Sequence, residues 1–229
     1  MFVTLEGYGG KREMYNNILF DLDGTLTDPG LGITNSIMYA LRKMGKEVME
    51  REALYKFIGP PLMDSFQNYC GLSEEESELA IKYYRDYFKQ YGLYENEVYA
   101  GVEKMLELLK FRQKKLIVET SKPEQFAIEI LKYFHLYDYF DFVAGATMDT
   151  TRNKKADVIS YALENCKITD LSSVIMIGDR EHDIIGAKQN EIDSIGVLYG
   201  YGSLEELENA GATHIVEKPD EIVGIIEGK

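Results

Sequence analysis

Apolar and polar residues follow two different rhythms along this chain. Asn17-Ile18-Leu19-Phe20 is a short, nearly continuous apolar run, the pattern of a buried strand. After Asp28 the rhythm turns helical and stays so to about residue 100. Ile33, Ile37, Ala40, Leu41 and Met44 recur at helical spacing until Gly45 stops them. A second helix is predicted over 50–57, ended by Gly59-Pro60-Pro61, and a third over 62–69. Ser73 stands at capping-box distance from Glu76 and opens a fourth, running through Tyr83, Tyr84, Tyr87 and Phe88 to about Gln90.

From Tyr99 onward the two rhythms alternate. Helices are predicted over 102–109, 123–134, 155–164 and 183–189, with two more opening at Ser203 and Pro219. Strands are predicted over 115–118, 141–144, 174–177, 194–197 and 214–216. Such alternation predicts an α/β fold, a parallel sheet with helices on its faces. The first strand belongs to that sheet, so the expected core joins residues 15–27 to 101–229, and an all-helical cap over 28–100 interrupts it. Residues 1–14 carry Gly7, Gly9 and Gly10 without a period and predict a disordered extension, with Met14 a candidate natural start.

The 229 residues carry a formal charge of −14, which argues against nucleic acid or an anionic membrane as partner. No signal segment or membrane-spanning run is read, so a cytoplasmic protein is expected. Cys70 and Cys166 lie far apart without metal-ligand spacing and read as reduced thiols.

In open parallel sheets, ligands bind beyond the carboxyl ends of the strands. The first strand ends in Asp21-Leu22-Asp23-Gly24-Thr25, two carboxylates that suit nucleophilic and proton-transfer work, although Asp-Gly between apolar residues equally signals a hairpin. The strand over 115–118 runs into Thr120-Ser121-Lys122 ahead of a helix, a place for an anion or simply an N-cap. The strand over 174–177 ends in Gly178-Asp179-Arg180-Glu181-His182-Asp183. Asp179 and Asp183 can converge with Asp21 on a hard cation such as Mg2+, while Asp183 alone is explained by a helix dipole. Lys155, beside Lys154, opens a helix where its charge opposes the dipole unless an anion is near.

These four segments, in this order, resemble the motifs of haloacid dehalogenase superfamily phosphatases, close to the phosphoglycolate phosphatase-like branch. The resemblance covers about Tyr15 to the C-terminus. It implies a Rossmann-like core, Asp21 as the nucleophile that forms an aspartyl-phosphate, and Asp23 as the acid and then the base. It further implies that Thr120 and Lys155 hold the phosphate with the amides of Gly24 and Ser121. Mg2+ is implied on Asp21, the Asp23 main-chain carbonyl, Asp179 and Asp183. The dehalogenases lack an acid where Asp23 stands, so phosphoryl chemistry is implied. The loop from Phe57 to Leu62 matches the cap loop that reaches the site. The tyrosines from Tyr83 through Tyr99 are expected to pack the cap, with one or two of them candidates to line the pocket by a polar tip, and the 196–202 segment to connect elements, a dimer contact being the alternative.

The expected function is Mg2+-dependent hydrolysis of a small phosphomonoester, of the phosphoglycolate or nucleoside monophosphate (5'-nucleotidase) type. The alternatives are a sugar-phosphate mutase and a non-catalytic phosphate-binding module. The expected partner is a small phosphorylated metabolite, and the chain is expected to be a monomer or homodimer.

Overall fold

The computed structural model describes residues 15–149 and 151–228. The expected disordered extension and the candidate start at Met14 lie outside the described residues. Six strands form one parallel sheet: β1 (Asn17–Phe20), β4 (Lys115–Pro123), β5 (Phe142–Ala146), β6 (Val174–Gly178), β7 (Asp193–Val197) and β8 (His214–Val216), in the order β5-β4-β1-β6-β7-β8. The chain leaves β1 in both directions across the sheet, so β1 lies at the point where strand order reverses. Phe20 is in register with Val118 on one side and Ile177 on the other. The three strand tips therefore end side by side, where such sheets bind ligands.

Strand period splits the sheet's side chains between two cores. Leu19, Ile117, Val174 and Met176 point to one face, covered by α7 (Lys155–Asn165) and by Ala187 of α8 (Glu181–Gln189). Ile18, Phe20, Leu116, Val118, Ile175 and Ile177 point to the other. That second core takes in α5 (Val102–Phe111), α6 (Glu124–Tyr133) and α10 (Pro219–Ile226), and it continues into the helices that follow β1. With both faces covered, β1 is apolar almost throughout, as parallel strands are.

Those helices are α1 (Gly30–Lys43), α2 (Arg51–Leu54), α3 (Leu62–Cys70) and α4 (Glu74–Tyr87). The capping box of α4 forms: the Ser73 hydroxyl accepts from the Glu76 amide at 3.2 Å, and Glu76 accepts from the Ser73 amide at 3.0 Å. Beyond Tyr87 the helix widens into a π-type turn, Phe88–Gly92, rather than ending near Gln90. The single helix expected over 50–57 is four residues of α2 followed by a 3-10 turn, Tyr55–Phe57, which buries Leu54 and Phe57.

Two short strands had no counterpart in the hydrophobic pattern. β2 (Thr27–Asp28) and β3 (Glu97–Val98) pair antiparallel where the helical segment leaves and rejoins the sheet region. Two residues are too few to establish a period. The remaining strand, α9 (Leu204–Ala210) and the other helices fall within a few residues of expectation; β4 extends through Pro123 and α8 opens at Glu181. Among the described residues, no helix is long and apolar enough to cross a membrane.

Candidate active site

β1 delivers Asp21 and Asp23 to the sheet edge, and the turn that follows is as tight as Asp-Gly suggested. The Gly24 amide donates to the Thr27 carbonyl at 2.8 Å, and the Thr27 amide donates to Leu22 at 3.0 Å. Gly24 has φ of +86°, and a Cβ there would land on the Asp179 carboxylate. The turn and the acid site are thus one structure. The Gly24 amide, expected to cradle phosphate, donates within the turn, and the residue packs against Asp179.

Lys155, at the first turn of α7, reaches across to the tip of β1. Its Nζ lies 2.7 Å from Asp21 Oδ1, 2.8 Å from Asp183 Oδ1 and 3.3 Å from Glu119 Oε2. Burial works to discharge this ammonium, yet the carboxylates of Asp183, Asp21 and Glu119 outweigh it and hold its pKa well above the ordinary value. Glu119, on β4 and fully buried, was missed by sequence reasoning. The expected strand stopped at Val118, so the acid read as lying outside it, whereas β4 runs on through it and buries it against Lys155. Burial pushes the Glu119 pKa up to about 8 and that of Asp21 up to about 7, with Lys155 pulling both back.

Asp179 and Asp183 stand beside Asp21. Each of the three offers a carboxylate oxygen within 4.8 Å of the others, and all three are buried. Asp179 Oδ2 accepts the Tyr201 amide at 2.7 Å, whereas its Oδ1 has no hydrogen-bond partner. Burial, then the charges of Asp183 and Asp21, push the Asp179 pKa well up. Five buried carboxyl groups, counting Asp23 and Glu119, gather around the ammonium groups of Lys155 and Lys122, with the Arg180 guanidinium acting on Asp179 from one side. An orphaned carboxylate oxygen among three converging hard donors fits a divalent cation such as Mg2+. The 196–202 segment, expected only to connect, also supports this cluster. Gly200 lies so close to Asp179 that a Cβ would collide with it, Tyr199 donates to the Thr25 carbonyl at 3.0 Å, and the Tyr201 hydroxyl bonds Asp28.

Asp23 points away from the three-acid cluster. Its Oδ2 pairs with Lys122 Nζ at 2.7 Å, and Lys122 in turn sits 4.4 Å from the Phe88 ring centre. This pairing, between residues far apart in sequence, was not foreseen. The opposite arm of β4 presents Thr120, whose Oγ1 accepts the Lys122 amide at 3.2 Å, and Ser121.

Above these groups lies a cavity of about 240 Å³. Its floor holds Asp21, Asp23, Thr120, Ser121 and Lys155; its roof is formed by the 57–64 segment and one side of α4. The loop expected to reach the site does so through Gly59, Pro60 and Pro61. Arg180, directly after Asp179, donates to the Ile58 carbonyl at 2.5 Å and to Glu206 at 2.8 Å, linking the loop to the β6 tip. Of the tyrosines between Tyr83 and Tyr99, Tyr84 alone lines the cavity.

Residues 18–197 match the family described as haloacid dehalogenase-like hydrolase. A crystal structure of a predicted phosphatase from Clostridium acetobutylicum superposes with a TM-score of 0.91 at 50% identity, covering 94% of this chain and 100% of that one. A 5'-nucleotidase of Pseudomonas aeruginosa is 43% identical over 200 residues, 87% of this chain and 90% of that protein. The tyrosine-protein kinase PtkA of Mycobacterium tuberculosis is 35% identical over 196 residues, 86% of this chain and 66% of that protein.

Proposed function

The chain belongs to the haloacid dehalogenase-like hydrolase family and is a phosphatase, and from that premise we propose that it hydrolyses a small phosphomonoester, of the nucleoside monophosphate or phosphoglycolate type, with Asp21 as nucleophile. One observation carries this reading: the Asp21 carboxylate, at the floor of the cavity, is held by Lys155 on one oxygen and bordered by the hydroxyl of Thr120.

In this mechanism Lys155 fixes Asp21 Oδ1, which leaves the other oxygen to attack phosphorus. Thr120, Ser121 and Lys155 take the phosphoryl oxygens and orient the ester for in-line displacement. Asp23 gives a proton to the departing oxygen as the P–O bond breaks. It then takes a proton from the water that hydrolyses the aspartyl-phosphate, returning Asp21 as a carboxylate. Lys122 holds the Asp23 carboxyl where the leaving group emerges. A Mg2+ ion held by Asp21, Asp179, Asp183 and the Asp23 carbonyl would offset repulsion between the attacking carboxylate and the phosphate. We propose that the protein works in the cytoplasm as a monomer or homodimer; its charge of −14 supports the absence of a nucleic-acid or anionic-membrane partner.

The test is inorganic phosphate release from nucleoside monophosphates, phosphoglycolate and sugar phosphates, with Mg2+ and with chelator. Metal-dependent release that falls on the order of 10³-fold or more in Asp21→Asn is expected. Release by Asp21→Asn at the wild-type rate would overturn the assignment, and conversion of one sugar phosphate into its isomer without net release would favour a mutase.

A further inference from the structure

Along α4 and into the π-type turn that continues it, Ile81, Tyr84, Arg85 and Phe88 fall at positions i, i+3, i+4 and i+7, one stripe of a helix, and all four line the cavity. Three are apolar or aromatic, as a buried stripe requires. Arg85 is a cation set among them. It is partly buried, and among the described residues it makes no hydrogen bond or ion pair. Burial pushes its pKa down, and the neighbouring Tyr84 offsets that only in part. By contrast, Lys122, the other cation on this side, is already committed to Asp23 at 2.7 Å.

The wall around Arg85 is aromatic. Tyr84 and Phe88 stack with ring centres 5.3 Å apart at 13°, and Phe126 meets Phe88 edge-on at 5.7 Å. Phe88 is packed on Tyr84 and covered by the Lys122 ammonium, so the rings give the cavity an apolar side against which a flat group can pack by its edge or face, and a guanidinium offers a flat fork of N–H donors to acceptors on its rim. A nucleobase combines these properties, being flat, uncharged and edged with carbonyl and ring-nitrogen acceptors. A two-carbon phosphorylated acid fits less well. Its carboxylate lies only a few bonds from the leaving oxygen, beside Asp23 and Lys122, and makes no use of the stripe beyond them.

We propose that Arg85 is a specificity-determining residue, donating hydrogen bonds to the base of a nucleoside 5'-monophosphate that lies against the Tyr84–Phe88 wall. This rests on the phosphomonoester reading above and selects one substrate class within it.

The experiment compares UMP with ribose 5-phosphate, a sugar 5-phosphate that carries no base, and with phosphoglycolate, in wild type, Arg85→Met and Arg85→Lys. Wild type is expected to favour UMP over ribose 5-phosphate in kcat/KM. In Arg85→Met that preference falls by about 10-fold to 100-fold, the loss expected for a charge-assisted hydrogen bond, and KM carries it. Arg85→Lys recovers part of the preference, because charge remains but the fork does not. A UMP preference unchanged in Arg85→Met, an equal loss on UMP and ribose 5-phosphate, or a loss confined to phosphoglycolate would each overturn the proposal. Thermal melting of each variant separates these results from unfolding. Failure of wild type to release phosphate from any ester would instead overturn the hydrolase reading, and so stays distinct.

Discussion

The floor of the cavity is made of charges held by other charges, whereas its roof is made of rings held by burial. On the floor, Lys155 spans three carboxylates and Lys122 a fourth, all on elements of the sheet region. On the roof, Phe57, Tyr84 and Phe88 are buried and pack against Phe66 and Phe126, and Arg85, a cation there, makes no hydrogen bond or ion pair among the described residues. The difference suits the two tasks. A reacting centre needs fixed charge with little freedom to reorganise, while a wall that accepts a leaving group needs shape and one or two directional contacts.

The largest expected effect on stability comes from removing the centre of the floor. Lys155→Met would leave Asp21, Glu119 and Asp183 buried against one another with no counter-charge. Breaking a buried pair in this way costs roughly 3–5 kcal/mol, and denaturant unfolding of metal-free protein should show it. Phosphate release should collapse as well, since the same ammonium serves the phosphoryl oxygens. A loss below about 1 kcal/mol, the range of exposed pairs, would mean that protons on the acids already compensate, and the contrast between floor and roof would be one of geometry only.

Much of the floor was legible in the sequence because each element of it sits at a strand tip. Asp21, Asp23, Thr120, Asp179 and Asp183 follow apolar runs that read as buried strands, and the sheet then brings the tips together. Lys155 was legible through its unfavourable place at a helix start. Glu119 was not, because the apolar run seemed to stop at Val118 and the acid looked like the first residue outside. Nor were the contacts between distant segments: Lys122 to Asp23, the Tyr201 amide to Asp179, and Arg180 to the Ile58 carbonyl. Nothing local in the chain encodes them. At Gly24 the sequence showed that a glycine was needed, but not that its N–H donates to the Thr27 carbonyl within the turn. The roof was least legible. A tyrosine-rich stripe at helical spacing predicts burial, and only the fold shows that Tyr84 faces the cavity.

A pH series on chelator-treated protein sharpens the comparison. Asp21 rises from 3.8 to about 7 and Glu119 from 4.5 to about 8 on folding, both chiefly through burial. The folded state therefore holds protons that the unfolded chain has released, and stability falls as pH rises from about 4 towards 8. A cation that takes the place of those protons acts in the opposite sense. Mg2+ should raise the melting temperature more at pH 8 than at pH 5. The rings of Phe57, Phe88 and Phe126 do not titrate and add nothing to this slope. A Mg2+ effect that is equal at both pH values would show that the acids are already ionised without metal.

The smallest expected effect lies where floor and roof are joined. Arg180 follows Asp179 in sequence, yet its guanidinium reaches the roof at the Ile58 carbonyl and is steadied by Glu206, with 13% of its side chain exposed. Its stem lies against Gly59, where even a Cβ would come to 3.0 Å. Arg180→Gln keeps much of the packing and loses the long reach, which should cost the roof loop about one charge-assisted hydrogen bond, offset in part by solvent. Because the lost contact positions the loop rather than touching phosphorus, KM should rise about 3-fold to 10-fold with kcat changed less. Should kcat fall instead, with KM intact, Arg180 would be acting through Asp179 on the reacting centre. The joint between charge and rings would then belong to the floor, and the roof would be docked by burial alone.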